Sequence, residues 1–174
     1  MIIRRCSDTD VDDICAVVND AATAYRGVIP ADRWTDPYMS AIELRHEIDA
    51  GVVFWGAYED HRLLGVMGLQ HVADVALIRH AYTRTTSQGA GIGRALLAHL
   101  GAQADRPLLV GTWKAATWAI RFYQHHGFTL VTDREKNELL RRYWTVPERQ
   151  IEESVVLVDS RYTSARIRFE GGSL

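Results

Sequence analysis

Between Ser87 and Leu100 the sequence reads SQGAGIGRALLAHL, with glycines at 89, 91 and 93 running straight into an apolar segment of helical spacing. Glycines let backbone N–H groups come close to a ligand. A helix start adds unpaired donors and partial positive charge, and Arg94 adds a full one. The chemistry these residues suit is the holding of phosphate, and two or more phosphates better than a carboxylate. The same spacing would also serve a tight strand-to-helix connection with small residues for packing. Two common nucleotide motifs are excluded. G-x-G-x-x-G starting at Gly89 meets Arg94 in its third slot, and starting at Gly91 it meets Leu96. No Asp or Glu lies between Arg106 and Thr132 to bind a ribose, and Gly-Lys-Ser/Thr is absent.

The elements that must position this loop follow from periodicity. IIRRC reads as a first strand. Ser7 with Asp10, and Ser40 with Glu43, form capping-box patterns that open two helices, the first ending near Gly27 and the second near Ala50. VVFWGAY, RLLGVMGLQHV and VALIRHAYT read as antiparallel strands joined by the turns EDH and AD. The glycine loop then opens a helix, PLLVGTW is a strand, and AATWAIRFYQHHG is a helix closed by Gly127. FTLV and SVVLV are late strands, with REKNELLRRYW a short exposed helix between them. Three consecutive strands ahead of the glycine loop exclude an alternating doubly wound sheet. The expected class is α/β (α+β), a mixed, mostly antiparallel sheet of about seven strands flanked by about four helices. One domain is expected over residues 1–160, with 161–174 a loosely ordered tail.

The chain has 174 residues, 47% of them hydrophobic, enough for a full core. Its net charge of −2 argues against bulk nucleic-acid binding. No apolar run approaches the roughly 18 residues of a membrane span, and MIIRRC lacks the pattern of a signal peptide. Cys6 and Cys15 are the two cysteines, no Cys/His pair has zinc spacing, and His125–His126 are adjacent. No metal, nucleic acid or membrane is expected, and a reduced, cytoplasmic setting fits.

QGAGIG (Gln88–Gly93) matches the Q/R-x-x-G-x-G/A signature of the GCN5-related N-acetyltransferases. AIRFYQHHGF (Ala119–Phe128) resembles their second signature, A-x-x-F-Y-x-x-x-G-F, and one helix, one strand and a second helix start separate the two. The resemblance covers roughly residues 1–158. It implies the fold of that family and acetyl-coenzyme A as donor. The pyrophosphate would lie on Gln88, Gly89, Ala90, Gly91, Ile92, Gly93 and Arg94. Ala81, Tyr82 and Thr83 would face the pantetheine arm, with one backbone N–H polarising the thioester carbonyl.

Acetylating an alkylamine requires its neutral form, and near pH 7 deprotonation costs roughly 4 to 5 kcal/mol. His80, two residues before Tyr82 on the central strand and so expected on the same face, suits a base at neutral pH; a strand histidine bonded to a neighbour is the alternative. The resemblance makes Tyr123 the donor of a proton to the departing thiolate. His71 and Asp74 sit at a turn and are expected to be solvated. Two positions depart from the family. Ala116 replaces the usual asparagine, with Thr117 next to it toward the pantetheine, and Leu77 stands where many members carry a glutamate base.

On the acceptor side the resemblance points to Ala24–Trp34 and to Arg134–Gln150. Tyr25, Trp34, Tyr143 and Trp144 are candidates for the walls of a pocket, and Glu43 and Glu47, four apart on the second helix, for its lining. The expected activity is transfer of acetyl to a primary amine of a small molecule by direct attack in a ternary complex. An acyl-coenzyme A sensor without turnover, or an enzyme for protein amino groups, would use the same donor loop. A homodimer through the late strands is a further expectation from the resemblance.

Overall fold

The computed structural model describes residues 1–170, with side chains described through Ala165. Seven strands form one sheet in the order β1 (Ile2–Arg5), β2 (Val53–Glu59), β3 (Arg62–Val72), β4 (Val75–Thr83), β5 (Leu108–Trp113), β7 (Ser154–Val158), β6 (Thr129–Leu130). The chain divides into two compact units, Met1–His71 with Ile78–Gln103, and Val72–Leu77 with the residues from Ala104 onward.

The first unit holds β1 (Ile2–Arg5), α1 (Val11–Ala22), α2 (Ala41–Asp49), β2 (Val53–Glu59), most of β3 (Arg62–Val72), the second part of β4 (Val75–Thr83) and α3 (Ile92–Gln103). Both capping boxes form. The Asp10 carboxylate accepts from Ser7 N–H at 2.7 Å, and Glu43 accepts from Ser40 N–H at 2.8 Å. Two forks of the Arg4 guanidinium also reach Asp10, at 2.8 and 3.0 Å, and hold its carboxyl far below the usual range. That pair ties β1 to the start of α1. Val11, Ile14, Val17 and Val18 recur at helical spacing and are buried against Leu44, Phe54 and Val66. β1 and β3 both pair antiparallel with β2. Asp60 and His61 both take positive φ between β2 and β3, the backbone of a two-residue hairpin turn.

The second unit holds β5 (Leu108–Trp113), α4 (Thr117–His125), β6 (Thr129–Leu130), α5 (Asp133–Tyr143), α6 (Glu148–Glu152), β7 (Ser154–Val158) and α7 (Ser160–Glu170). Its core joins Leu109, Leu139, Leu140, Tyr143, Ile151, Val156 and Val158. One sequence expectation is corrected here. α5 is not an exposed helix: Lys136, Leu139, Leu140 and Tyr143 form a buried face, and the Lys136 ammonium donates to the Ile151 carbonyl at 3.0 Å. Apart from Lys136, its charged residues are exposed or half-buried and mask that face in the sequence. Within the expected tail, α7 runs through residue 170. Asp159 accepts from the N–H groups of Arg161 and Tyr162 at 3.1 and 3.2 Å, an N-cap that starts α7. Residues 171–174 of the expected tail lie outside the described residues. The described helices outnumber the expected four because α5, α6 and α7 all form after β6. Among the described residues no helix is long and apolar enough to cross a membrane.

Candidate active site

The glycine loop is held at both ends within the first unit. Past the end of β4, Arg84 donates its N–H to Leu64 O at 2.8 Å and its Nε to Leu63 O at 2.7 Å. At the next residue Asp20, near the end of α1, accepts from Thr85 N–H at 2.6 Å and from Thr85 Oγ1 at 3.1 Å. Gly89 and Gly91 take φ of +81° and +78°. A Cβ at either would meet nothing within 4 Å among the described residues. These glycines therefore answer to backbone conformation and an open face, not to packing. Ile92 is buried, and its Cγ2 lies 2.7 Å from where a Gly65 Cβ would stand. That plug sets the helix start, whose first bond runs from Ala95 N–H to Gly91 O at 3.0 Å. The N–H groups of Gly91, Ile92, Gly93 and Arg94 are then the free donors of a helix N-terminus. Gln88 to Gly91 and Arg94 are exposed.

β4 carries an irregularity that strand alternation did not anticipate. His80 has φ +49°, a conformation that costs a non-glycine residue roughly 1 kcal/mol or more. Gly68 lies against Arg79 and Leu64 bonds Arg84, so four steps along β3 face five along β4. One extra residue is a bulge, and it re-aims the side chains around it. In a regular strand Arg79 and His80 would point to opposite faces. Here both reach one oxygen of Glu47 on α2: Arg79 donates to Oε2 at 2.6 Å, and His80 Nε2 lies 3.0 Å from the same atom in a bent contact. The expectation that His80 shares a face with Tyr82 by simple alternation is thereby corrected. Gln70 completes the set, accepting from Arg79 at 2.7 Å and donating to Ala50 O at 2.9 Å. The Phe54 ring stacks on His80 at 5.8 Å. Burial pushes the Glu47 carboxyl upward, but His80 and the charge of Arg79 outweigh it and leave it below its ordinary value. Glu47 is thus a carboxylate at neutral pH.

The segment between α1 and α2 brings three rings together. Tyr25 stacks on Tyr38 at 5.9 Å, and Trp34 leans on the other neighbour of that pair, Tyr38, at 5.4 Å. Tyr82 of β4 meets Tyr25 and Tyr38 edge-on at 6.3 and 6.5 Å. All four are half-buried. Tyr25 and Trp34 were sequence candidates, whereas Tyr38 and Arg79 were missed. Arg79 had a signal: a charged residue inside the apolar strand VALIRHAYT needs a buried partner. Glu43 is drawn away from this group, its carboxylate taken by Ser40; Glu47 is the one that reaches β4. Among the described residues no cluster of His, Cys, Asp and Glu could hold a metal.

Residues 50–130 match the family model described as an acetyltransferase (GNAT) domain. Over these residues the chain carries a GNAT acetyltransferase domain. Solved structures share the fold. They include the PaiA N-acetyltransferase from Thermoplasma acidophilum in complex with coenzyme A, at 18% identity and TM-score 0.67, covering 91% of this chain and 97% of that one. A GNAT acetyltransferase from Staphylococcus aureus Mu50 has 14% identity and TM-score 0.69 over the same shares. N-acetylglutamate synthase from Neisseria gonorrhoeae, complexed with coenzyme A and N-acetyl-glutamate, has 20% identity and TM-score 0.63, covering 91% of this chain and 34% of that one. No curated protein sequence matches significantly.

The second GNAT signature lies in the second unit. Tyr123 is 4% exposed, and its ring packs on Phe122 at 5.1 Å and Phe128 at 5.5 Å. Gly127, at φ +85°, lets the chain turn so that Phe128 N–H bonds Tyr123 O at 3.0 Å. Ala116, in the place of the usual GNAT asparagine, is fully buried. Thr117 is exposed at the start of α4, its hydroxyl accepting from Arg121 at 3.4 Å. Leu77, in the place of the usual glutamate, is core. Tyr143 is drawn into the same core. Its hydroxyl donates to Asp74 at 2.7 Å, and burial and that carboxylate push its pKa up. Asp74, expected to be solvated, keeps an exposed side chain but holds this bond. The Trp144 ring lies 3.5 Å from where a Cβ on Gly111 would stand, while His71 is exposed as expected.

Proposed function

We propose that this GNAT acetyltransferase moves the acetyl group of acetyl-coenzyme A to the primary amine of a small molecule, by direct attack while both are bound. The observation that carries the reading is the pair of features at the two ends of the same strand segment: an open glycine loop at a helix N-terminus, and a carboxylate-held histidine at the β4 bulge. The residues present suit the donor. The N–H groups of Gly91 to Arg94 offer a cradle for pyrophosphate, and open space over Gly89 and Gly91 admits close approach. When bound, acetyl-coenzyme A supplies an activated acyl group on a thiolate leaving group.

The rest is the work of side chains and backbone. Ala81, Tyr82 and Thr83 present strand backbone toward the pantetheine arm, and Thr117 lies at the second signature. His80 takes the proton that the amine must lose. The new N–C bond forms as the C–S bond breaks, and the Tyr123 hydroxyl gives the departing sulfur its proton. With Leu77 in the core, His80 replaces the missing glutamate as base, and Glu47 holds it in place. Tyr25 and Trp34 face the acceptor, and the two free thiols, Cys6 and Cys15, suit a reducing cytoplasm.

The test is release of free thiol from acetyl-coenzyme A in the presence of primary amines. Tyr123→Phe should lower kcat by about 10²-fold, the lower range for a general acid, with little change in the KM for either substrate. Unchanged kcat would remove Tyr123 from the chemistry.

A further inference from the structure

Asp20 stands in the last turn of α1, which ends at Ala22 and has no basic residue there. A helix C-terminus carries partial negative charge, so a carboxylate at that place is disfavoured. Nor does the helix use it as a cap. The Asp20 carbonyl is taken by Thr23, whose Oγ1 donates to it at 2.7 Å. The carboxylate instead serves Thr85, 65 residues on, accepting from its N–H at 2.6 Å and its Oγ1 at 3.1 Å. Its mount is rigid, because Val17, Val18 and Ala22 of the same helix are fully buried. Beyond Thr85 the glycine loop has little of its own to hold it. Ser87 N–H bonds Arg84 O at 2.9 Å, but Gln88 N–H lies 3.5 Å from Thr85 O and Ala90 N–H 3.4 Å from Ser87 O. Those two distances are long for N–H···O bonds. Gln88, Gly89, Ala90 and Gly91 are exposed. The neighbouring side chain, Asn19, works elsewhere: it accepts from Met39 N–H at 2.9 Å and donates to Met39 O at 2.8 Å.

We propose that Asp20 is a positioning residue for the donor: it fixes the entry of the glycine loop, so that the amides of Gly91 to Arg94 are set for the pyrophosphate before acetyl-coenzyme A arrives. This rests on the reading that the loop holds that pyrophosphate. The negative charge of Asp20 does nothing for a phosphate ligand, so its effect comes through the tether alone. A loop released at Thr85 must be ordered again on binding. Ordering the backbone of about one residue corresponds to about fivefold to thirtyfold in affinity.

Calorimetry with coenzyme A reads the affinity, and urea unfolding of the free protein reads stability. Asp20→Ala should weaken coenzyme A by about tenfold. Its unfolding midpoint should hold or rise, because the helix end loses a disfavoured charge and gains a better helix former. Asp20→Asn keeps the shape: its amide oxygen accepts from Thr85 N–H and its amide donates to Oγ1, so affinity should return to within about threefold of wild type. Asn19→Ala removes two bonds from the same helix end and should lower the midpoint while leaving coenzyme A affinity unchanged. Unchanged or tighter binding in Asp20→Ala, no recovery in Asp20→Asn, or an equal loss of affinity in Asn19→Ala would overturn the role of Asp20. The loop itself would still stand if Gly91→Val weakens coenzyme A in the same assay. Gly91→Val without effect would remove the loop from the donor site, and the role of Asp20 with it.

Discussion

Replacing Glu47 by Gln removes one charge and keeps the shape. One oxygen of Glu47 now serves both Arg79, at 2.6 Å, and His80, at 3.0 Å. Two unit charges about 4 Å apart are worth roughly 4 kcal/mol at an effective dielectric of 20 and about 1 kcal/mol in water. The side chains of Arg79 and Glu47 are 22% and 27% exposed, so the pair sits between these limits. The amide oxygen still accepts one bond from Arg79, which leaves a net loss of about 1 to 2 kcal/mol in stability. Urea unfolding at pH 7 reads it. The sign with pH follows from the direction of the shift. Folding holds the Glu47 carboxyl below its ordinary 4.5, so its contribution is complete above that value and is lost as pH falls through the folded one. The gap between wild type and Glu47→Gln should therefore be full at neutral pH and narrow below about pH 4.5. For activity, Glu47 acts through His80 and touches no reacting atom. Its loss should lower kcat by about tenfold or more, a part of what a general base supplies, and leave the acetyl-coenzyme A KM unchanged. In a His80→Ala background the same change should cost almost nothing further. Fully additive losses in that double-mutant cycle, or wild-type kcat in the single variant, would refute the coupling.

Gly91→Val forces a β-branched residue to φ +78° and crowds the loop face; acetyl-coenzyme A binding by calorimetry should weaken by more than about tenfold, and unchanged affinity would remove the loop from the donor site. His80→Gly relieves the positive φ at that position, so stability should hold or rise by up to about 1 kcal/mol while turnover collapses; retained turnover would discard His80 as base. Tyr143→Phe deletes the bond to Asp74 and should cost about 0.5 to 1.5 kcal/mol at pH 7 without changing the KM of any acceptor. Because that bond holds the Asp74 carboxyl below its ordinary value, the cost should fade as Asp74 protonates in acid.

What the sequence showed were features decided within a few residues. Ser7–Asp10 and Ser40–Glu43 announce helix starts because a capping box closes on itself. The glycines at 89 and 91 announce a special backbone because no other residue takes positive φ at so little cost. The two signatures placed the fold for the same reason. The inner face of α5 was hidden because Lys136 counts as polar in any pattern and is yet buried on the Ile151 carbonyl. α7 was hidden because its cap, Asp159, follows the strand SVVLV without a break, so no turn signal separates them.

The acceptor side was obscure for a deeper reason. Its geometry depends on one residue of excess in β4, and nothing in VALIRHAYT marks where that excess falls. A regular strand would send Arg79 and His80 to opposite faces and leave Glu47 at most one partner. The bulge converts two sequence neighbours into two ligands of one carboxylate, and α2 supplies that carboxylate from 32 residues away. Such a contact is specified by register, which is a property of the pair β3–β4 and of the pinned ends at Gly68 and Arg84. The strain at His80 is held there by those ends and by Phe54 stacked on the ring. The bulge thus turns a structural residue position into a chemical one. If His80 is the base, as proposed, position 77 need not carry one and can belong wholly to the core, where Leu77 lies.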